Sequence, residues 1–142
     1  MVVEVQSVRN SQTSQTQRNP RRHRDRRCFG THGEELATQL LVKRGYTILE
    51  RQWRSREGEI DIIAVAGGDL VAVEVKTRGG IGFGTAEQAL TPHQLRRIQR
   101  GLLSYRAQHP QLGHTPVRVD LLAITVGTQR QHEARLFQDV ML

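Results

Sequence analysis

The chain has 142 residues, enough for one domain with a real core, and a formal net charge of +7. It contains no run of about 18 apolar residues, which excludes a helical membrane span. The single Cys28 excludes an internal disulfide and suits a reducing compartment, so a cytoplasmic protein is expected. No apolar stretch with a small-residue cleavage site opens the chain, so no secretory signal is expected either.

The basic excess is uneven. Residues 1–28 hold seven arginines against Glu4 and Asp25, whereas the rest of the chain holds 14 basic and 12 acidic residues. This leader is rich in Ser, Gln, Thr, Asn and Arg and almost free of large apolar groups after Val8. It is expected to form a disordered basic tail, 1–28, ahead of one folded domain, 29–142. Its RRHRDRR run (21–27) suits sequence-independent contact with phosphates, and equally suits a solvated leader.

A helix is predicted from about Thr31 to Arg44, with Leu36, Ala37, Leu40 and Leu41 as its apolar face and Gly45 as its C-terminal cap. Glu34 and Glu35 fall in its first turn, where the helix dipole favours negative charge. Tyr46 to about Trp53 reads as a strand, and RSRE (54–57) connects it to the stretch GEIDIIAVAGGDLVAVEVKTR (58–78). That stretch alternates apolar and polar residues on both sides of Gly67-Gly68, which predicts a hairpin. With the two glycines as the turn, Ala66 pairs with Asp69, Asp61 lies opposite Glu74, and Glu59 lies opposite Lys76. The glycine-rich segment 79–89 reads as a loop. Thr91-Pro92 starts a second helix running to about Gln108, with Leu95, Ile98, Leu102 and Tyr105 as its buried stripe. Val117 to Val126 reads as a fourth strand, and a short edge strand is expected around Ala134 to Phe137. The order α-β-β-β-α-β predicts a two- or three-layer α/β sandwich around a mixed sheet, with a right-handed parallel crossover through the second helix.

The chemistry gathers at the open end of the hairpin. Two carboxylates, Asp61 and Glu74, face each other there, which is unfavourable unless something compensates the charge. A hard divalent cation such as Mg²⁺ would, and the Val75 carbonyl could add a third oxygen. Lys76 shares a face with Glu74 at i, i+2 and is close enough to orient or help deprotonate a water, or to stabilise a phosphate. Glu59 is the partner expected to hold Lys76 in an ion pair when no metal or substrate is present.

The words GTHGEELA (30–37), GEIDIIA (58–64), VEVKTR (73–78), FG (83–84), TPHQLRR (91–97) and VRVDLLAI (117–124) give the chain a family resemblance. In this order they resemble the PD-(D/E)xK nuclease superfamily and, more narrowly, the YraN-like family of small bacterial proteins. The resemblance implies a restriction-endonuclease-like αβββαβ core and a Mg²⁺- or Mn²⁺-dependent endonuclease acting on nucleic acid, expected to be DNA, including branched or flapped structures. Residue by residue, it implies Asp61, Glu74 and the Val75 carbonyl as metal ligands, Glu34 as a further acid reaching the metal, and Lys76 as the catalytic lysine. Arg97 would approach a phosphate, with Gln94 and Arg78 as further nucleic-acid contacts. Two positions depart from the pattern. Ile60 stands where the superfamily has its Pro, and Gln94 stands where relatives commonly have Lys. Asp120 matches a family aspartate without an assigned role. Resolvase-like nucleases often pair to make two cuts, so a homodimer is a further expectation. The alternative is a non-catalytic nucleic-acid-binding module of the same fold. An intact acid-acid-lysine set argues against it, because a pure binder has no use for two acids facing phosphates.

Overall fold

The structure is a computed structural model. It describes residues 2–9, 25–79, 90–126 and 131–140, with residues 2–9, 25–32, 78, 79, 126 and 131 described by backbone alone. Strands β1 (Val2–Arg9), β2 (Thr47–Ser55), β3 (Gly58–Ala66), β4 (Asp69–Gly79), β5 (Val117–Val126) and β6 (Gln131–Phe137) form one sheet in the order β1-β6-β5-β4-β3-β2. Gly67 and Gly68 turn the β3–β4 hairpin at positive φ values of 59° and 84°, the pair of angles a two-residue hairpin turn requires. The predicted register holds from Ala66↔Asp69 to Ile62↔Val73. β4 and β5 are parallel, and every other neighbouring pair is antiparallel.

Helix α1 (Asp25–Lys43) and helix α2 (Pro92–Gln108) cover opposite faces of this sheet. Ala37, Leu40 and Leu41 of α1 pack on Ile62, Val71, Val73 and Ile124. Leu95, Ile98, Leu102 and Tyr105 of α2 pack on Ile60, Ile63, Ala72 and Leu121. The result is a three-layer α/β core, as the element order allows, and it is consistent with the restriction-endonuclease-like core that the resemblance implies. α1 begins earlier than predicted, because its first turns (DRRCFG) do not repeat the leucine spacing that marks 36–41. It ends as predicted at Gly45: Tyr46 N–H donates to Leu41 O and Gly45 N–H to Val42 O, closing the last turn. α2 opens with a capping box in which Thr91 Oγ1 accepts from Gln94 N–H and Gln94 Oε1 accepts from Thr91 N–H. Trp53 packs against the α2 layer, edge-on to Tyr105.

The leader departs from expectation. Val2–Arg9 pair antiparallel with β6, Val2 opposite Phe137 and Val5 opposite Ala134. Four valines in eight residues give this segment strand character, and β6 would otherwise leave one side of its ladder open. Residues 25–28, also assigned to the expected tail, belong to α1, and residues 10–24 and 80–89 lie outside the described residues.

Asp120 acquires a role here. It is fully buried and accepts from Tyr46 Oη at 2.6 Å, Arg118 Nε at 3.1 Å and Asp139 N–H at 2.8 Å. Arg118 also donates to Asp69 at 2.8 Å. Burial first, and then Asp120, hold the Tyr46 phenol above its usual pKa. The network ties β5 to the hairpin turn, at the end of the sheet away from Glu59 and Asp61.

Candidate metal centre and phosphate cleft

Beyond Ile62↔Val73 the β3–β4 ladder stops, so the predicted pairs Asp61–Glu74 and Glu59–Lys76 do not form. The strand changes face at this level. Ile60 packs on the α2 side and Ile62 on the α1 side, whereas a regular strand puts residues two apart on one face. The opening leaves the Val75 N–H without a strand partner, and the Asp61 carboxylate takes that place, accepting from it at 2.9 Å. Burial, then the negative charge of Glu74, push the Asp61 carboxyl up to about 7; the Val75 hydrogen bond opposes this, while Glu34 and Glu59 add to it.

Glu34 arrives from α1. A side chain at Gly33 would overlap Thr77 Oγ1, so glycine lets the helix approach β4 closely enough for the next residue to reach the site. One carboxylate oxygen each from Glu34, Glu59 and Asp61 lies within 4.8 Å of the others. Gln52 Nε2 donates to Glu34 Oε2 at 2.6 Å, and Arg51 pairs with Glu35 at 3.0 Å.

Glu74 and Lys76 stand beside this cluster, with Lys76 Nζ 3.2 Å from Glu74 Oε1. The expected Glu59–Lys76 pair is replaced. Once the ladder opens, Glu59 turns to Arg54 at 3.6 Å and the lysine to its own strand neighbour. Glu59 and Glu74 line a cleft of about 130 Å³ whose α2 wall carries Gln94 and Arg97. Arg97 reaches across to donate from Nε to Glu57 O at 2.7 Å, lying over Gly58, where a Cβ would meet its guanidinium. Gln94 lines the same cleft, but its carbonyl oxygen serves the helix cap. Arg78 continues β4 opposite Thr125; its side chain lies outside the described residues.

Of the residues read from sequence, Glu34 and Asp61 therefore share one cluster, Glu74 and Lys76 adjoin it, and Arg97 closes the cleft. Val75 N–H donates to Asp61 at the site, and its carbonyl remains the third oxygen read from sequence. Two residues were not legible as site members. Glu59 looked like a lysine partner, and nothing in the run TILERQW marks Gln52 as a positive-φ residue. The donor set could hold a metal ion: three carboxylates with oxygens within 4.8 Å of one another are hard oxygen ligands, unlike the thiolates that soft metals seek.

A restriction-endonuclease-like core with an acidic cluster at the opened end of its central hairpin defines the class of protein. Residues 33–124 match the model of the family described as "Uncharacterised protein family UPF0102". The chain belongs to this family, the YraN-like proteins. It is 43% identical over 99 residues to a UPF0102 protein of Kineococcus radiotolerans, covering 70% of this chain and 81% of the relative. It is likewise 43% identical over 113 residues to one of Rhodococcus opacus, covering 79% and 94%. A Roseiflexus castenholzii relative is 42% identical over 103 residues, covering 72% and 83%. Among the described residues no helix is long and apolar enough to cross a membrane.

Proposed function

We propose that the protein is a metal-dependent endonuclease that hydrolyses phosphodiester bonds in nucleic acid, with DNA as the expected substrate and branched or flapped structures among the candidates. The observation that carries this reading is the meeting of Glu34, Glu59 and Asp61 beside the Glu74–Lys76 pair, at the point where the β3–β4 ladder opens. Asp61 and Glu34, with Glu59 or Glu74 completing the set, would hold Mg²⁺ or Mn²⁺. When bound, the cation supplies neutralisation of phosphoryl charge and acidification of water.

The chain's own residues supply the remainder. Glu74 and Lys76, 3.2 Å apart, offer an acceptor and a donor to the same small volume, so a water can be held by the carboxylate while the ammonium steadies a non-bridging phosphate oxygen. Arg97, at the cleft wall, adds a second cation for the backbone phosphates on either side of the scissile bond. The Val75 N–H fixes the Asp61 carboxylate, so this ligand needs no reorganisation when substrate arrives.

The test is a cleavage screen over linear, flapped and four-way DNA with Mn²⁺, with the Asp61→Ala variant alongside. Cutting of at least one substrate that the variant cannot cut supports the reading. Calorimetry that finds no Mn²⁺ binding, together with DNA binding, would favour a non-catalytic binding module.

A further inference from the structure

Gln52 is one of two non-glycine residues at positive φ among the described residues, at 51°. It sits between the ladder pairs Arg51↔Ile62 and Trp53↔Ile60, level with Asp61. In a regular strand the side chains of Arg51 and Gln52 would leave opposite faces of the sheet. Here both reach α1, Arg51 to Glu35 and Gln52 to Glu34. The left-handed backbone turns the second of two adjacent side chains toward the same helix as the first. Glycine is the residue of least cost at such an angle. A long amide in its place is accounted for by what the amide does.

We infer that Gln52 is a positioning residue that aims the Glu34 carboxylate at the Asp61–Glu59 cluster. Glu34 projects toward two other carboxylates and is repelled by them. A neutral donor on Oε2 at 2.6 Å holds it in place without adding a charge that would compete with a cation. The amide takes Oε2, and the carboxylate has a second oxygen to offer a cation. This inference rests on the metal-site reading above and adds to it the part that preorganises the ligand set.

The test compares Mn²⁺ affinity, by calorimetry on the full chain, for wild type, Gln52→Gly, Gln52→Leu, Glu34→Ala and the Gln52→Leu/Glu34→Ala double variant, with metal-free denaturation midpoints measured alongside. Gln52→Gly relieves the backbone angle and removes the amide. Gln52→Leu keeps a similar bulk and the angle but removes the amide, and it stands in if the glycine variant does not fold. Both single variants at Gln52 are expected to raise the Mn²⁺ Kd about ten-fold, the scale seen when a partner of a metal ligand is removed. In the Glu34→Ala background the Leu substitution is expected to change nothing further. A Gln52→Leu Kd within two-fold of wild type, or an unchanged ten-fold effect in the Glu34→Ala background, overturns the inference and leaves the metal site standing. A wild type that binds no Mn²⁺ overturns both.

Discussion

A carboxyl enclosed as Asp61 is keeps its proton far above the range of a solvated aspartate, from 3.8 to about 7, because burial, then Glu74, penalise its anion. Between those two values the folded chain binds a proton that the unfolded chain has released. The resulting stabilisation is complete below about pH 4 and is lost as pH rises through about 7. The metal-free protein is therefore expected to lose denaturant resistance from pH 5 to pH 8, and Asp61→Asn, which can still accept from Val75, should flatten that slope in paired denaturation curves. Mn²⁺ should displace the proton, so calorimetry in buffers of different ionisation heat should find more proton release at pH 6 than at pH 8.5. At this scale strand alternation, together with the family words around them, singled out Asp61, Glu74 and Lys76, although the direct Asp61–Glu74 pairing does not form. It did not disclose that Glu59 joins the acids, because the end of a ladder depends on how two strands twist apart. Gln52 was equally hidden, since glycine or asparagine is the usual mark of a left-handed residue and neither is present.

The elements set the distances at which those residues meet. α1 brings Glu34 to the site only because Gly33 lies against Thr77 of β4. Gly33→Ala is expected to push the helix outward and weaken Mn²⁺ binding several-fold. Adding Thr77→Ala should restore most of the loss, a coupling that a double-mutant cycle measures directly. The buried Asp120–Arg118–Tyr46 network works on β5 and the hairpin turn, away from the acidic cluster. Asp120→Ala should cost about 3 kcal/mol in urea unfolding, as expected when one partner of a buried pair is removed, while leaving the Mn²⁺ affinity of the folded fraction unchanged. Helix caps and apolar stripes are local signals, and both helices and the hairpin were accordingly legible. Thr91, Pro92 and Gly45 mark ends that the structure keeps. The first turns of α1 carry no such spacing and were missed.

Across the whole molecule the sheet serves as a partition. Glu34 comes from the layer on one face and Arg97 from the layer on the other, and Glu59 at the opened hairpin belongs both to the acidic cluster and to the cleft that Arg97 lines. The composition of the first 28 residues suggested an unstructured leader, yet Val2–Arg9 complete the sheet beside β6; this pairing is long-range and has no local signature beyond its valines. β1 and β2 are opposite edges of the sheet, so deleting residues 1–9 should expose the β6 edge and promote self-association in light scattering, with Mn²⁺ affinity held within two-fold. The central claim, that this assembly cleaves phosphodiesters, is met most directly by single-turnover cleavage of flapped and four-way DNA in Mn²⁺ by wild type, Asp61→Ala and Lys76→Ala at matched DNA occupancy. Cutting by the wild type is expected, with losses of about 100-fold or more in both variants and DNA binding retained. An Asp61→Ala variant that cuts at the wild-type rate would contradict the claim.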